Sequence, residues 1–383
     1  ALRPTIPSFV PSWLRELISE SWQHDPNLRP SFDECVYRLE NSGKRQATAI
    51  TRSTLEKPKE KHRIMFENEE GAILCMACSP EQVWIGCRNG DVRVFATRNL
   101  QPVRVEKQEG RVMSICCPAV SVALSGTSDG VVSVWKAEPS KAPAKSFSLK
   151  TLAPVEKIGG LFKKSPRAGR QAEKEAPAPP ASSKKEVTCL VSTSAGVLQG
   201  SASGEVKVLS INNEIIASSP LPGSISCGCD VAGKFFLFGV GRSIHKVMLL
   251  DKTLSSRLFV NNAHSEFVAS IIFTPLGQVW SATARGEVRI WNASDASPIH
   301  SFSIDTRIHS MCSAEIQGLQ TVWIGCDDQV RVFDVSNLSL RCILPLPHTG
   351  EVTCMSNVAI DVVWVGVRNR DNKGSLYVWD FAV

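Results

Sequence analysis

What this sequence lacks narrows its function first. No run of 18 or more apolar residues occurs in its 383 positions, so no membrane-spanning helix is expected. No basic segment followed by an apolar stretch stands at the start, which argues against secretion. Catalytic constellations are also lacking. There are no suitably spaced carboxylate pairs, no Gly-x-Ser-x-Gly elbow and no histidine clusters. His245, His264, His309 and His348 are scattered without metal-ligand spacing. No catalytic residue, metal ligand or cofactor is therefore assigned to the chain.

Charge and cysteine content look informative until they are located. The net charge is +6, but residues 136–186 hold twelve Lys/Arg against five Asp/Glu, so the remainder sits near −1. Basic and aromatic residues do not share a segment, as a folded nucleic-acid face requires, and no specific nucleic acid is expected as a partner. Thirteen cysteines include one Cys75-x-x-Cys78 pair. The others recur in register: Cys116, Cys229 and Cys312 align with one another, and Cys87 aligns with Cys326. This pattern reads as packing rather than zinc or redox chemistry. Free buried thiols imply a reducing compartment, and a cytoplasmic location is expected.

What the sequence does contain is a repeat. VWIGCRNGDVRVF (83–95) returns as VWIGCDDQVRVF (322–333), and looser copies occur at 122–135, 196–209, 235–248, 279–291 and 363–379. Alternating large apolar residues, a Gly/Asp/Asn turn and a second alternation read as a hairpin of two strands. A small residue marks each copy: Gly86, Gly126, Gly200, Gly239, Ala282, Gly325 and Gly366, at steps of 40, 74, 39, 43, 43 and 41. Five of the six steps match the roughly 40–45 residues of a four-stranded propeller blade; the long one holds an insertion. An apolar strand precedes each hairpin, with Cys75, Ser114, Cys189, Cys227, Ser270, Ser310 and Cys354 at its third position. Small side chains there suit the crowded strand nearest an axis. SFSIDT (301–306) and SFSLKT (146–151) read as outer strands. The last copy lacks a fourth strand after it, and RIMFE (63–67) is expected to supply it and close the ring.

This pattern resembles the WD-repeat β-propeller family over about 320 residues. The Trp-Asp ending stands at Trp379-Asp380, with Phe333-Asp334 and Ile290-Trp291 as relatives, and the Ser-Asp-Gly turn at 128–130. A histidine ahead of the first strand, able to bridge to a neighbouring strand, is present at His264 and His348. The resemblance implies an all-β fold: a seven-bladed propeller over 61–383 with a basic insertion at 152–186.

The first 42 residues have helical spacing instead. Leu14, Leu17, Ile18 and Trp22 mark one face of a helix beginning near Pro11 or Ser12. Ser31-Phe32-Asp33-Glu34 is a capping box for a second helix, with Phe32, Val36 and Leu39 as its apolar face. Arg3-Pro4, Pro7, Leu14, Ile18, Trp22, Asp25-Pro26, Arg29-Pro30-Ser31-Phe32 and Leu39 resemble the C-terminal end of a tyrosine-kinase-like protein kinase domain. By that resemblance Trp22 and Arg29 are structural residues of a kinase C-lobe remnant at 1–42, with a linker at 43–60. No Gly-rich loop, Val-Ala-Ile-Lys, His-Arg-Asp or Asp-Phe-Gly is found, and phosphoryl transfer needs the lysine, base and metal ligands they carry. The chain reads as the downstream part of a longer kinase, for which ATP and Mg are implied.

A kinase end followed by a propeller resembles the Roco family, the leucine-rich repeat kinases and their relatives. It implies a regulatory serine/threonine kinase whose propeller mediates self-association and binding to other surfaces. The Trp-Ile-Gly phrasing is also similar to propellers of some Rho exchange factors and kinase scaffold proteins. Partners are expected at the loops. Arg88, Arg242, Arg285, Arg368 and Arg370 stand on turns between second and third strands, and Arg111 and Arg307 lead into first strands. Such a rim suits proteins carrying acidic or phosphorylated segments, although Asp91, Asp129, Asp327 and Asp328 share it. The insertion, rich in Lys, Ala and Pro, is expected to be disordered. It carries Ser165-Pro166 as a candidate phosphosite and offers a second route, to an anionic membrane or a microtubule surface.

Overall fold

A computed structural model describes residues 12–23, 29–30, 35, 59–66, 71–97, 99–136, 186–193, 196–346 and 350–381. The chain divides into two compact units, Ala1–Lys57 and Pro58–Val383. In the first, helix α1 (Ser12–Ser21) starts where the sequence places it. Leu17 is buried and Trp22 is 36% exposed. The Ser21 hydroxyl donates to the Leu17 carbonyl at 2.8 Å, closing the last turn. The capping box lies outside the described residues, although Cys35 is helical. No described helix is long and apolar enough to cross a membrane.

The second unit begins with β1 (Lys59–Phe66). Blade 1 follows as β2 (Ile73–Cys78), β3 (Gln82–Cys87), β4 (Asp91–Ala96) and β5 (Pro102–Lys107). Blade 2 is β6 (Val112–Ala119), β7 (Val122–Thr127) and β8 (Val132–Lys136). Its expected outer strand at 146–151 lies outside the described residues. Blade 3 is β9 (Val187–Thr193), β10 (Gly196–Ser201), β11 (Glu205–Leu209) and β12 (Ile215–Pro220). Blade 4 is β13 (Ile225–Val231), β14 (Phe235–Val240), β15 (Ser243–Leu250) and β16 (Thr253–Val260). Blade 5 is β17 (Val268–Phe273), β18 (Gln278–Thr283), β19 (Glu287–Asn292) and β20 (Pro298–Ser303). Blade 6 is β21 (Ile308–Ile316), β22 (Leu319–Cys326), β23 (Gln329–Asp334) and β24 (Leu340–Pro345). Blade 7 is β25 (Gly350–Ala359), β26 (Val362–Asn369) and β27 (Gly374–Asp380), completed on its outer edge by β1.

Seven sheets are thus found among the described residues. Each inner strand packs against the inner strands of both neighbours, and β25 packs on β2, so the ring is closed. β1 begins at Lys59, ahead of the 63–67 expected for it. A bulge between Glu60 and His62 lets its pairing continue as far as Asp380, the end of β27. In blade 5 the outer strand ends at Ser303 rather than Thr306, because 304–307 bend into the next blade.

The two sets of small residues read from the repeat are cross-strand partners. Cys75 pairs with Gly86, Ser114 with Gly126, Cys189 with Gly200 and Cys227 with Gly239. Ser270 pairs with Ala282, Ser310 with Gly325 and Cys354 with Gly366. Just before each pair the inner strand bulges by one residue: Leu74, Met113, Thr188, Ser226, Ala269, His309 and Thr353. The glycines are small because the next blade begins against them. A Cβ on Gly366 would lie 2.8 Å from Ile73 Cγ2 and 2.7 Å from Cys354 Sγ. Val112, Val187, Ile225, Val268 and Val352 crowd the other glycines in the same way. In blade 5, where Ala282 stands, Ile308 is its partner in the buried cluster.

The core therefore lies between blades. Trp84, Leu124, Leu198, Leu237, Trp280, Trp323 and Trp364, the residues two before each small marker, are all about fully buried, at 0–1% exposure. Trp280 meets Phe333 of blade 6 at 6.2 Å, Trp323 meets Trp379 of blade 7 at 5.7 Å, and Trp364 meets Phe95 of blade 1 at 6.3 Å. Second strands such as β3, β10 and β14 are buried along their whole length, and outer strands β5 and β20 are largely exposed.

Candidate functional site: the loop face of the ring

Turns between second and third strands, and loops leading into first strands, meet at one end of every blade. Backbone hydrogen bonds join them. Gln108 N donates to Gly90 O, Ser128 N to Arg111 O, His264 N to Arg242 O, Ile308 N to Ala284 O and Leu346 N to Asp328 O. Short turns braced this way hold side chains on rigid backbone.

One of these braces is a buried polar relay. In blade 5, His264 Nε2 lies 2.7 Å from Ser281 Oγ, and Trp291 Nε1 donates to the same hydroxyl at 2.9 Å. His264 Nδ1 faces Glu287 at 3.3 Å. Burial favours the neutral Glu287 carboxyl, but the Ser265 amide and hydroxyl and Arg289 outweigh it and hold its pKa at about 2. Blade 2 builds the same relay without histidine. Ser125 donates to Gln108 Oε1 at 2.8 Å, and Trp135 Nε1 donates to Ser125 at 2.7 Å. The bridging histidine read from the sequence thus has a stand-in at Gln108, a residue type the histidine pattern does not include. His348 lies outside the described residues.

Burial lowers the His264 pKa below the ordinary imidazole value, against the opposing pull of Glu287. A histidine kept neutral by the fold contributes fully above about pH 6.5; below it the unfolded chain takes up a proton that the fold refuses, and stability falls. His264→Ala is expected to cost about 1–3 kcal/mol by removing the buried imidazole bond to the Ser281 hydroxyl, which keeps its bond from Trp291. His264→Gln, which copies blade 2, should keep most of the stability at neutral pH. It should also flatten the fall in urea midpoint between about pH 7 and 5. An unchanged fall contradicts the assignment to His264.

The seven arginines all stand on this face. Arg111, Arg242, Arg285, Arg307 and Arg370 are exposed, while Arg88 and Arg368 are half-buried. Two are engaged by acids: Arg285 with Glu266 at 3.0 Å, and Arg368 with Glu351. Arg88 lies close enough to Arg368, across the closing junction, for its charge to act there. Burial, and then the Arg88 charge, lowers the Arg368 pKa. Arg111 lies near Glu186, whose carboxyl burial raises against that arginine's pull. Asp91, which the sequence set against the rim, is occupied by Arg93 at 3.1 Å and Lys107 at 3.0 Å. Ser165 and the 152–186 insertion lie outside the described residues. In the first unit, Arg29 Nε donates to Gln23 O at 2.8 Å.

Between blades 6 and 7 the same face opens into a groove of about 580 Å³ lined by Asp327, Asp328, Glu351, Arg368, Asn369 and Arg370 among others. His309, for which sequence spacing offered no partners, lies here within 2.7 Å of Asp327 and 3.8 Å of Glu351. Glu351 belongs to the next blade, about one repeat away, so no local motif could show the association.

On the axis, a channel of about 540 Å³ is lined by Ser114, Cys189, Cys227, Met311, Cys312 and Ser356 among others. Burial pushes the Cys189 and Cys312 thiols up to about 12 and Cys227 up to about 11, so they stay protonated at neutral pH. The Cys75-x-x-Cys78 pair diverges. Cys75 Sγ turns to Val112 O of blade 2 at 3.4 Å, and Cys78 Sγ turns to Asn357 O of blade 7 at 3.0 Å.

No family model matches the chain. The chain is similar over 38 residues, at 53% identity, to the dual specificity protein kinase shkE of Dictyostelium discoideum. That match covers 10% of this chain and 5% of the relative, so the chain spans only a small part of it. Among solved structures, the crystal structure of RRP9 WD40 repeats superposes with a TM-score of 0.62 at 13% identity, covering 85% of this chain and 99% of that one. Ring, blade count and neighbour agree: the fold of residues 59–381 is a seven-bladed β-propeller of the WD40 type.

Proposed function

We propose that this chain is a non-catalytic protein-interaction and regulatory propeller at the C-terminal end of a Roco-like serine/threonine protein kinase. The observation that carries the interaction role is the loop face. There Arg88, Arg242, Arg307 and Arg370 form no ion pair with any described acid, on turns held rigid by backbone hydrogen bonds. Guanidinium groups so placed suit carboxylates and phosphates, which they bind bidentately. Acidic or phosphorylated segments, of another protein or of a second copy of this chain, are the fitting partners. The kinase context is supported by the Trp22 to Ser31-Phe32 pattern and by the 38-residue likeness to a kinase. ATP and Mg would belong to that upstream domain.

Fluorescence anisotropy with labelled acidic and phosphorylated peptides tests the rim. Hydrogen bonds to charged groups contribute about 1.5–3 kcal/mol each, so replacing Arg88, Arg242, Arg307 and Arg370 together by alanine should weaken binding more than about tenfold. Binding should also fall with added salt. Equal affinity in the quadruple variant, or preference for neutral peptides, contradicts the role. The second reading, that the functional unit is an active kinase of which this is one part, is favoured by the same 38-residue match. Reading the coding sequence upstream of Ala1 tests it: Asp-Phe-Gly and Ala-Pro-Glu should be encoded there, and their absence counts against it.

A further inference from the structure

We propose that His309, Asp327 and Glu351 form a binding site for a zinc-class divalent transition-metal ion, tying blade 6 to blade 7 at the loop face. Their donor atoms all lie within 4.8 Å of one another. Tetrahedral zinc, bound by nitrogen at about 2.0–2.1 Å and oxygen at about 2.0–2.2 Å, sets its donors roughly 3.3 Å apart. The distances from His309 Nε2, 2.7 Å to Asp327 Oδ1 and 3.8 Å to Glu351 Oε2, bracket that value. Small side-chain adjustments bring the three into place.

Three further observations point to a ligand. First, His309 is the one titratable side chain among the seven bulged residues, which are otherwise aliphatic, thioether or hydroxyl. It is the bulged residue of its inner strand. In blades 3, 4 and 7 that residue is Thr188, Ser226 or Thr353, whose hydroxyl turns back to the glycine carbonyl of its own blade at 3.1–3.2 Å. His309 reaches outward instead, and bulges are a means of re-aiming a side chain. Second, Glu351 is already oriented. Arg368 engages its Oε1 and leaves Oε2 facing the imidazole, the arrangement by which outer partners orient ligating carboxylates. Third, the Asn369 side-chain oxygen, in the wall of the same groove, is buried with no hydrogen-bond partner among the described residues.

The donor set selects the metal. Imidazole with carboxylates suits zinc, cobalt or nickel, whereas magnesium and calcium prefer oxygen alone. The test uses the full chain without a polyhistidine tag, reduced and stripped with chelator, then titrated with Co²⁺ and back-titrated with Zn²⁺. One equivalent of Co²⁺ should give a visible spectrum without a thiolate charge-transfer band, displaced by Zn²⁺ and untouched by Mg²⁺. His309→Ala and Asp327→Asn should each weaken binding at least about tenfold, while His300→Ala on the outer strand of blade 5 should not. Asp327 is on an exposed turn, so its variant serves if the histidine variant fails to fold. A thiolate band, Co²⁺ affinity unchanged in Asp327→Asn, or no binding would overturn the proposal and leave His309–Asp327 as a plain hydrogen bond.

Discussion

A chain lacking Lys59–Phe66 is expected to lose the cooperative fold of the entire ring rather than fray at one blade. β1 pairs along the whole of β27, from Lys59 opposite Asp380 to Phe66 opposite Gly374. Ile64 packs into the cluster that joins blade 7 to blade 1, with Ile73, Val83, Trp364 and Leu376. Removing it strips a ladder of hydrogen bonds worth about 1 kcal/mol each from β27 and bares an edge that invites aggregation. That loss is comparable with the roughly 5–15 kcal/mol that holds an ordinary domain together. Circular dichroism with urea should show no cooperative transition in the deletion variant. A synthetic peptide of residues 59–66 should restore part of it when added in trans. A transition like that of the intact chain contradicts a role for β1 in closing the ring.

The second large effect is expected at Trp364. It is fully buried and meets Phe95 edge-on at 66°, across the junction the ring must close. Trp364→Ala should cost about 3–5 kcal/mol through lost contacts and the cavity left behind. The indole nitrogen refines the expectation. Among the described residues Trp364 Nε1 is buried without a hydrogen-bond partner, whereas Trp323 Nε1 donates to the buried Thr321 hydroxyl at 3.1 Å. Trp364→Phe removes an unsatisfied donor, and Trp323→Phe takes a donor from Thr321. Urea midpoints should therefore fall less for Trp364→Phe than for Trp323→Phe. The reverse order contradicts this account of the two junctions.

Legibility of the fold followed the period of the repeat. Seven hairpins, their small marker residues and the strand near residue 63 could all be read from alternation and spacing, because each blade carries its pattern locally. The reason for the small residues could not. Gly366 is small on account of Ile73, a residue at the other end of the chain. The loop-face arginines were legible as turn residues, but their neighbours were not: the Arg88 charge acts on Arg368 only because the ring closes. The same holds for His309. Its two carboxylates come from a turn of its own blade and from the first strand of the next, so linear metal-ligand spacing had nothing to detect. Gln108 was missed for a chemical reason, since an amide replaces the imidazole in the relay with Ser125 and Trp135.

Hydrogen exchange followed along the backbone tests the central claim, a closed wheel of seven sheets, most directly. Within residues 62–66 every second amide, those bonded to β27, should exchange as slowly as the amides of residues 374–378 opposite, because both strands open only when the wheel does. Exchange of 59–66 within seconds while 374–380 stay protected would show an open arc, and the account would fail.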